Sequence, residues 1–279
     1  MKKLIRFLLI IILILSLLII YARYGGTRGL ITKEYPIETT IEDSFDGLKI
    51  VHFSDLHYLR ITNKETTQSI IDEINLLNPD IVVFTGDLID KDYKPNNKDI
   101  SNLKELLTSI KSKYGKYSVL GEHDTKIEDT IKDIYISSNF TLLDNSYDII
   151  YGNNNNKLFI GGLSNNPDID KVMNYFTDNE DINYKIILVH EPDYIDTITS
   201  KYNNINLVLA GHSHNGQINI PYIKKIFLPE GSKKYYNNYY KVNNTNLYIS
   251  SGLGESKINF RLFNKPSINF YRINKIGTK

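Results

Sequence analysis

Five of the six histidines in this 279-residue chain stand just after short apolar runs and beside an acidic residue or a glycine. Asp55 and His57 lie in SDLH, Asp87 and Asp90 in GDLID, and Glu122, His123 and Asp124 in GEHD. His190 opens HEPD, and His212 and His214 belong to GHSH. Imidazoles and carboxylates in this mixture suit Mn, Fe or Zn, and a chain without cysteine excludes thiolate ligation and disulfides. A carboxylate shared by two such ions sets them roughly 3.5–4 Å apart, the spacing of phosphate-ester hydrolases. Each fragment alone is weak. An Asp-x-His or His-x-His is mostly a turn or a satisfied surface pair, Gly-Asp is a common turn dipeptide, and a lone His190 would read as a core histidine. Their shared position at run ends is what the plain reading leaves unexplained. His52 sits inside the first run and is read as a core histidine without a role.

The elements that must position these residues follow from the apolar pattern. Short β-branched runs at 48–54, 80–85, 116–120, 157–162, 184–189 and 205–210 read as strands. Between them, 64–77 places Ile70, Ile71, Ile74 and Leu77 on one side of a helix, and 100–114 does the same with Leu103, Leu106, Leu107 and Ile110. Asn153–Asn156 reads as a polar turn, and beyond about residue 217 only strand and turn are expected. Strands alternating with helices imply a mixed α/β (α+β) fold, a sheet sandwich flanked by helices. In such sheets, ligands gather at the carboxyl ends of strands, so the five segments are expected to converge on one pocket.

The N-terminal segment is of another kind. Residues 7–22 carry no charge, and with Leu4 and Ile5 they approach the roughly 20 residues that cross a bilayer as a helix. A cleaved signal peptide would have a shorter apolar stretch ending in small residues, whereas Tyr21-Ala22-Arg23 follows here, and a buried helix would not be apolar on every face. The expectation is a transmembrane signal anchor with a cytoplasmic stub (1–24), a linker and first edge segment (25–45) and a catalytic domain (46–279). Basic residues in the first six positions favour a single-pass cell-membrane protein with its domain outside, although Arg23 and Arg28 oppose that bias. The bilayer is the expected partner of residues 4–22, and no protein partner is inferable. Residues 1–33 hold six basic residues and no acidic one, which leaves 27 basic against 32 acidic in the rest. A mildly acidic domain speaks against nucleic-acid binding and therefore against a nuclease.

Taken in order, SDLH, GDLID, GEHD, HEPD and GHSH resemble the signature of calcineurin-like metallophosphoesterases over about residues 47–217. YARYGGTRGLITKEYPI, GHSHNGQINIP and LYISSGLGESKINFRLFNKP further resemble a membrane-associated bacterial phosphodiesterase branch. The resemblance implies a four-layer fold and two divalent metal ions (Mn, Fe or Zn) acting on a phosphate-ester substrate. It implies that Asp55, His57 and His214 hold the first ion, that His190 and His212 help hold the second, and that Asp87 bridges them. His123, next to Asp124, would then stabilise equatorial oxygens or protonate the leaving oxygen. Asp90 completes GD-x-x-D as an orienting carboxylate or a solvated turn residue. The bacterial branch also brings in nucleotide-diphosphate lipids as one substrate class.

One position departs from the family. Glu122 stands where the family has Asn, replacing a neutral amide ligand with an anion. Either Glu122 ligates the second ion and blunts its Lewis acidity, or it points away. The enzyme reading rests on the remaining ligands and His123. Its rival is a membrane-tethered metal-binding scaffold weakened by Glu122.

Overall fold

The computed structural model describes residues 1–60, 62–177, 182–220, 224–255 and 258–277. Its strands are β1 (Ile31–Thr39), β2 (Leu48–Phe53), β3 (Ile81–Thr85), β4 (Gly115–Val119), β5 (Phe140–Leu142), β6 (Ser146–Tyr151), β7 (Lys157–Gly162), β8 (Lys185–Val189), β9 (Leu207–Ala210), β10 (Tyr239–Val242), β11 (Thr245–Ile249) and β12 (Ser267–Lys275). The helices are α1 (Lys2–Ile20), α2 (Lys64–Leu76), α3 (Asn97–Thr108), α4 (Glu128–Ser137), α5 (Ile169–Met173) and α6 (Ile195–Lys201). All six apolar runs are strands, because each buries side chains on both faces. Along β2, Leu48 and Ile50 enter one core while Val51 and Phe53 enter another, and β3 divides Ile81 and Val83 from Val82 and Phe84 in the same way. Strands covered on both faces read as continuous apolar runs rather than as alternation.

The strands form two six-stranded sheets, ordered β1-β12-β2-β3-β4-β5 and β10-β11-β9-β8-β7-β6. Ile50, Val83, Ile186 and Leu209 belong to the core between them. Helices α2, α3 and α4 cover the first sheet through Ile70, Leu103 and Ile131, and α5 and α6 cover the second through Val172 and Ile198. The result is a four-layer β-sandwich flanked by helices. Strands β2, β3 and β4 run parallel, as do β7, β8 and β9, so their carboxyl ends lie together in each sheet. The last strand, β12, inserts between β1 and β2, parallel to the first and antiparallel to the second.

Helix ends show what periodicity alone misses. Asn63 caps α2 by accepting from the Thr66 N–H at 2.9 Å, close to the expected start. Helix α3 begins three residues before the expected 100, because Asn96 and Asp99 form a reciprocal capping box. It ends at Thr108 rather than 114, where the Ser109 hydroxyl donates to the Leu106 carbonyl and the buried Lys116 ammonium to that of Leu107. Ile110 is buried all the same, from the turn that follows. Helices α4, α5 and α6 and strands β5 and β6 are additions to the elements named from the sequence. Asn153–Asn156 does connect two strands, β6 and β7.

Helix α1 has no buried residue and continues through a π-helical turn at Tyr21–Gly25, giving one apolar helix long enough to cross a bilayer. Its end is docked. The buried Ala22 carbonyl accepts from the Arg261 N–H at 2.9 Å. At Gly26 a Cβ would lie 1.8 Å from the Arg261 carbonyl oxygen, so only glycine allows this approach.

Candidate metal centre

The turns that follow β2, β3 and β9 carry most of the chemistry, and they are bent to do so. Asp55, His57, Asp87, His212 and His214 all hold left-handed backbone, with φ between 44° and 64°. Such a conformation costs a non-glycine residue on the order of 1–3 kcal/mol and persists only where the surroundings impose it. Here the Asp55 N–H donates to the Gly86 carbonyl at 2.9 Å, that of His57 to Asp87 at 3.1 Å, and that of Gly211 to His190 at 3.0 Å. These bonds lock neighbouring turns together and aim their side chains inward.

The inward side chains make three overlapping groups whose donor atoms lie within 4.8 Å of one another: Asp55, His57 and His214; Asp87, His190 and His212; and His57, Asp87 and His123. His57 Nε2 and His214 Nε2 face each other at 3.3 Å, with Asp55 Oδ1 3.5 Å from the latter. In the second group His190 Nε2 lies 3.1 Å from His212 Nδ1 and 3.3 Å from Asp87 Oδ2. The same Asp87 oxygen is 3.8 Å from His57 Nε2, so it stands between the two histidine pairs. Its other oxygen accepts from the His123 N–H at 2.8 Å. Two imidazole nitrogens aimed at one point beside a carboxylate cannot satisfy each other as well as a divalent cation would satisfy both. The donor sets therefore fit a pair of divalent metal ions bound by N and O.

The ring nitrogens that face away from this centre are held from behind. His190 Nδ1 lies 2.7 Å from the Thr85 carbonyl and His212 Nε2 2.5 Å from that of Glu230, which fixes both rings to present the other nitrogen inward. His57 Nδ1 lies 3.4 Å from Asp90 Oδ2. Asp90 also faces Arg60 and accepts from the Asp92 N–H at 3.0 Å, and these contacts outweigh its burial to hold its carboxyl down at about 2. Without a metal ion, burial works against a proton on His190, but Asp87 overrides it and the imidazole is pushed up to about 10.

Not every residue named from the sequence reaches the centre in the same way. His123 lines the pocket, and its Nδ1 accepts from the Lys91 N–H at 3.2 Å; burial lowers its basicity. Asp124 is fully buried and faces backbone instead, accepting from the N–H groups of Asp87, Leu88 and Gly121 at 2.9–3.0 Å. Burial, then Asp87, push its carboxyl up to about 7. It clamps the GDLID turn to the GEHD turn. Glu122 is 50% exposed at the rim, with its carboxylate 3.1 Å from Lys91 Nζ, and it belongs to none of the three donor groups among the described residues. His52, by contrast, is enclosed between the Tyr271 hydroxyl at 3.2 Å and the Thr85 hydroxyl at 2.9 Å.

A pocket of about 420 Å³ opens over the centre, lined by Asp87, His123, His212 and His214 and by the cations Arg60 and Lys91. Sequence reasoning passed over both cations, although each lies within three residues of a named one. It also passed over Arg261, whose fully buried guanidinium donates to the carbonyls of Ser251, Gly252 and Gly254, pairs with buried Glu255 at 3.3 Å and reaches His214 Nδ1 at 3.4 Å. Arg261 lies in the stretch LYISSGLGESKINFRLFNKP, which was singled out, but nothing local marked the arginine. Ser256 and Lys257 of that stretch and Pro221 of GHSHNGQINIP lie outside the described residues.

A four-layer sandwich with two histidine pairs around one aspartate defines a dinuclear metallohydrolase, and comparison with known proteins agrees. The profile of the calcineurin-like phosphoesterase family matches residues 48–216. The chain is 33% identical over 262 residues to YkuE, an uncharacterized metallophosphoesterase of Bacillus subtilis, covering 91% of this chain and 88% of that one. It is 26% identical over 275 residues to a transmembrane protein with metallophosphoesterase domain from Danio rerio, covering 92% of this chain and 60% of that one. Among solved structures, Thermus thermophilus sulfate thiohydrolase SoxB superposes with a TM-score of 0.52 at 11% identity, over 82% of this chain and 57% of that one, a likeness of fold. The chain belongs to the calcineurin-like phosphoesterase family and is a metal-dependent phosphoric ester hydrolase.

Proposed function

We propose that this protein is a membrane-anchored dinuclear phosphoesterase that cleaves a phosphodiester or pyrophosphate bond, with nucleotide-diphosphate lipids as the leading substrate class. The observation that carries the dinuclear reading is Asp87 Oδ2, set 3.8 Å from His57 Nε2 and 3.3 Å from His190 Nε2. In this reading Asp55, His57 and His214 hold one ion, His190 and His212 the other, and Asp87 both. Bound divalent cations supply charge that neutralises phosphoryl oxygens and activates water for in-line attack. Mn, Fe and Zn all suit these ligands.

The chain's own residues do the rest. Asp124 holds Asp87 and His123 in register through the backbone of their turns. Because His123 Nδ1 accepts from Lys91, the proton of its neutral ring resides on Nε2, the nitrogen left to bond an equatorial oxygen or to protonate the leaving one. Asp90 orients His57 from behind, and Glu122, neutralised by Lys91, forms the rim rather than the floor. Arg60 and Lys91 line the mouth as cations, each facing a carboxylate there (Asp92 and Glu122), and a second phosphate of a pyrophosphate or a nucleotide would compete with those carboxylates for them. The lipid reading is supported by helix α1 and by its docking onto the catalytic domain. The domain is read as extracytoplasmic from the basic residues at the N-terminus, and protease added to intact cells should digest it; protection would reverse the topology.

The deciding experiment uses the full chain in detergent, loaded with Mn and offered bis-p-nitrophenyl phosphate and UDP-diacylglucosamine. Chelator-sensitive hydrolysis is expected, and His123→Ala should lower kcat by roughly 100-fold or more with metal content unchanged. Absence of turnover on both substrates with Mn, Fe and Zn would reject the proposed substrate classes. An unchanged rate in His123→Ala would remove His123 from the chemistry.

A further inference from the structure

Large apolar side chains are exposed on two segments beside the end of α1, where the domain has no use for them. Ile226 is 75% exposed and Phe227 47%, on a 3-10 turn at Lys224–Phe227; Phe263 is 62% exposed and Ile258 40%. Phe263 also holds left-handed backbone with φ 57°, a conformation that an aromatic residue rarely adopts and that here earns no burial. Ile31, at the start of β1, is 42% exposed, and it lines a shallow cavity of about 250 Å³ together with Phe263, Lys224 and Lys265.

These segments are tied to one another and to α1. Asn219 N–H donates to the Leu262 carbonyl at 2.9 Å, Leu262 N–H to that of Gln217 at 3.1 Å, and Gln217 Nε2 to that of Ile258 at 2.6 Å. Lys224 Nζ reaches Asn219 Oδ1 at 3.1 Å. One residue before Leu262, the Arg261 N–H bonds the Ala22 carbonyl at the point where α1 meets the domain. The exposed groups therefore lie on segments bonded to the exit of the apolar helix, directly or through Asn219, and the basic residues on these segments and at the helix end are Arg23, Arg28, Lys224, Lys225 and Lys265.

We propose that the segments 224–227 and 258–265 form a second, interfacial membrane contact, which seats the catalytic domain against the anionic lipid surface that α1 enters. The proposal rests on reading α1 as a membrane helix. Continuity with α1 identifies the occupant as the bilayer, and aromatic and aliphatic side chains flanked by Lys and Arg are the composition that partitions into a negatively charged headgroup region. An anchor whose end is bonded to the domain at Ala22 and packed at Gly26 would hold these side chains near the membrane level. The contact reaches the pocket directly. Phe227 is two residues from Pro229 and three from Glu230, both pocket-lining, and the Glu230 carbonyl fixes the His212 ring. Seating on lipid therefore sets the wall of the pocket next to the membrane surface.

The chain has no cysteine, so single thiols can be labelled without background. Full-length Leu13→Cys, Ile226→Cys, Phe263→Cys and Tyr151→Cys variants would each carry an environment-sensitive fluorophore, in vesicles of phosphatidylglycerol and phosphatidylethanolamine with brominated acyl chains. Tyr151 is 64% exposed on β6, at the opposite edge of the second sheet from β10. Quenching is expected at 13, at 226 and at 263, the latter two at depths of about 5–10 Å into the headgroup boundary, and none at 151. Quenching at 13 alone overturns the interfacial contact and leaves the anchor standing. No quenching at any position overturns both. A blue shift at 226 and 263 without bromolipid quenching assigns the surface to protein, a second copy or a partner, and also overturns the proposal.

Discussion

His52 and His57 are five residues apart, equally buried and of one chemistry, yet the protein uses them in opposite ways. His52 lies within β2, where the pleat sends it between the sheets to two hydroxyls, and burial drives its basicity down to about 3. His57 lies past the strand end, where a left-handed turn carries it among Asp55, Asp87 and Asp90; burial opposes a proton there too, but the carboxylates prevail and raise it. The strand interior makes histidine a neutral core residue, and the strand end places it in a group of donors that fits a metal ion. The difference lies in the acids that the turns bring with them, not in burial.

Removing the acid that the strand-end histidines share should have the largest effect. Asp87→Asn should cut hydrolysis by about a thousandfold or more, roughly 4 kcal/mol of lost charge stabilisation, and should reduce bound metal measured by elemental analysis. Two ions retained at a near-normal rate would place the bridge elsewhere.

The strand-interior side of the contrast is sharpened by pH. A base whose folded-state pKa is depressed from 6.5 to about 3 leaves the folded state with fewer protons than the unfolded one across that window. Stability should therefore fall as pH drops from about 6.5 toward 3, by at most roughly 5 kcal/mol at about 1.4 kcal/mol per unit. Denaturant titrations should show His52→Gln losing much of this slope. A slope equal to the parent's would mean that other groups carry the acid lability.

Smaller again is the support behind one ligand. Asp90→Asn leaves a hydrogen-bond acceptor toward His57 but removes its charge, and calorimetric titration should show metal affinity falling about 10–100-fold in a folded protein. Unchanged affinity would reduce Asp90 to a partner of Arg60. The smallest expected change is at the rim. Since Lys91 already neutralises Glu122, Glu122→Asn should alter the saturating-metal rate by less than about tenfold, or 1.4 kcal/mol. A larger rise, accompanied by weaker metal binding, would return Glu122 to the ligand set.

The fold was legible wherever strands are buried on both faces, since LKIVHF, IVVFT and KIILV carry the signal without help. Helix α4 shows Ile131, Ile134 and Tyr135 at helical spacing and was legible but unread. The short α5 and α6 offer too few turns to establish a period, and β6 is only partly buried.

For this protein, the sequence by itself determined which imidazole and carboxylate donors stand at the strand ends. Turn signals follow each apolar run directly, so strand, turn and donor are encoded within a few neighbouring residues, from SDLH through GHSH. Tertiary structure alone decided what those donors face. Asp124 turns to backbone rather than to substrate because the GDLID turn, some 36 residues away, presents its N–H groups there. Glu122 meets Lys91 across 31 residues, and Arg261 reaches His214 across 47. The Ala22 carbonyl finds its donor at Arg261, almost the whole chain away. Such contacts leave no periodic or local trace, because they arise from the packing of segments that the sequence keeps apart.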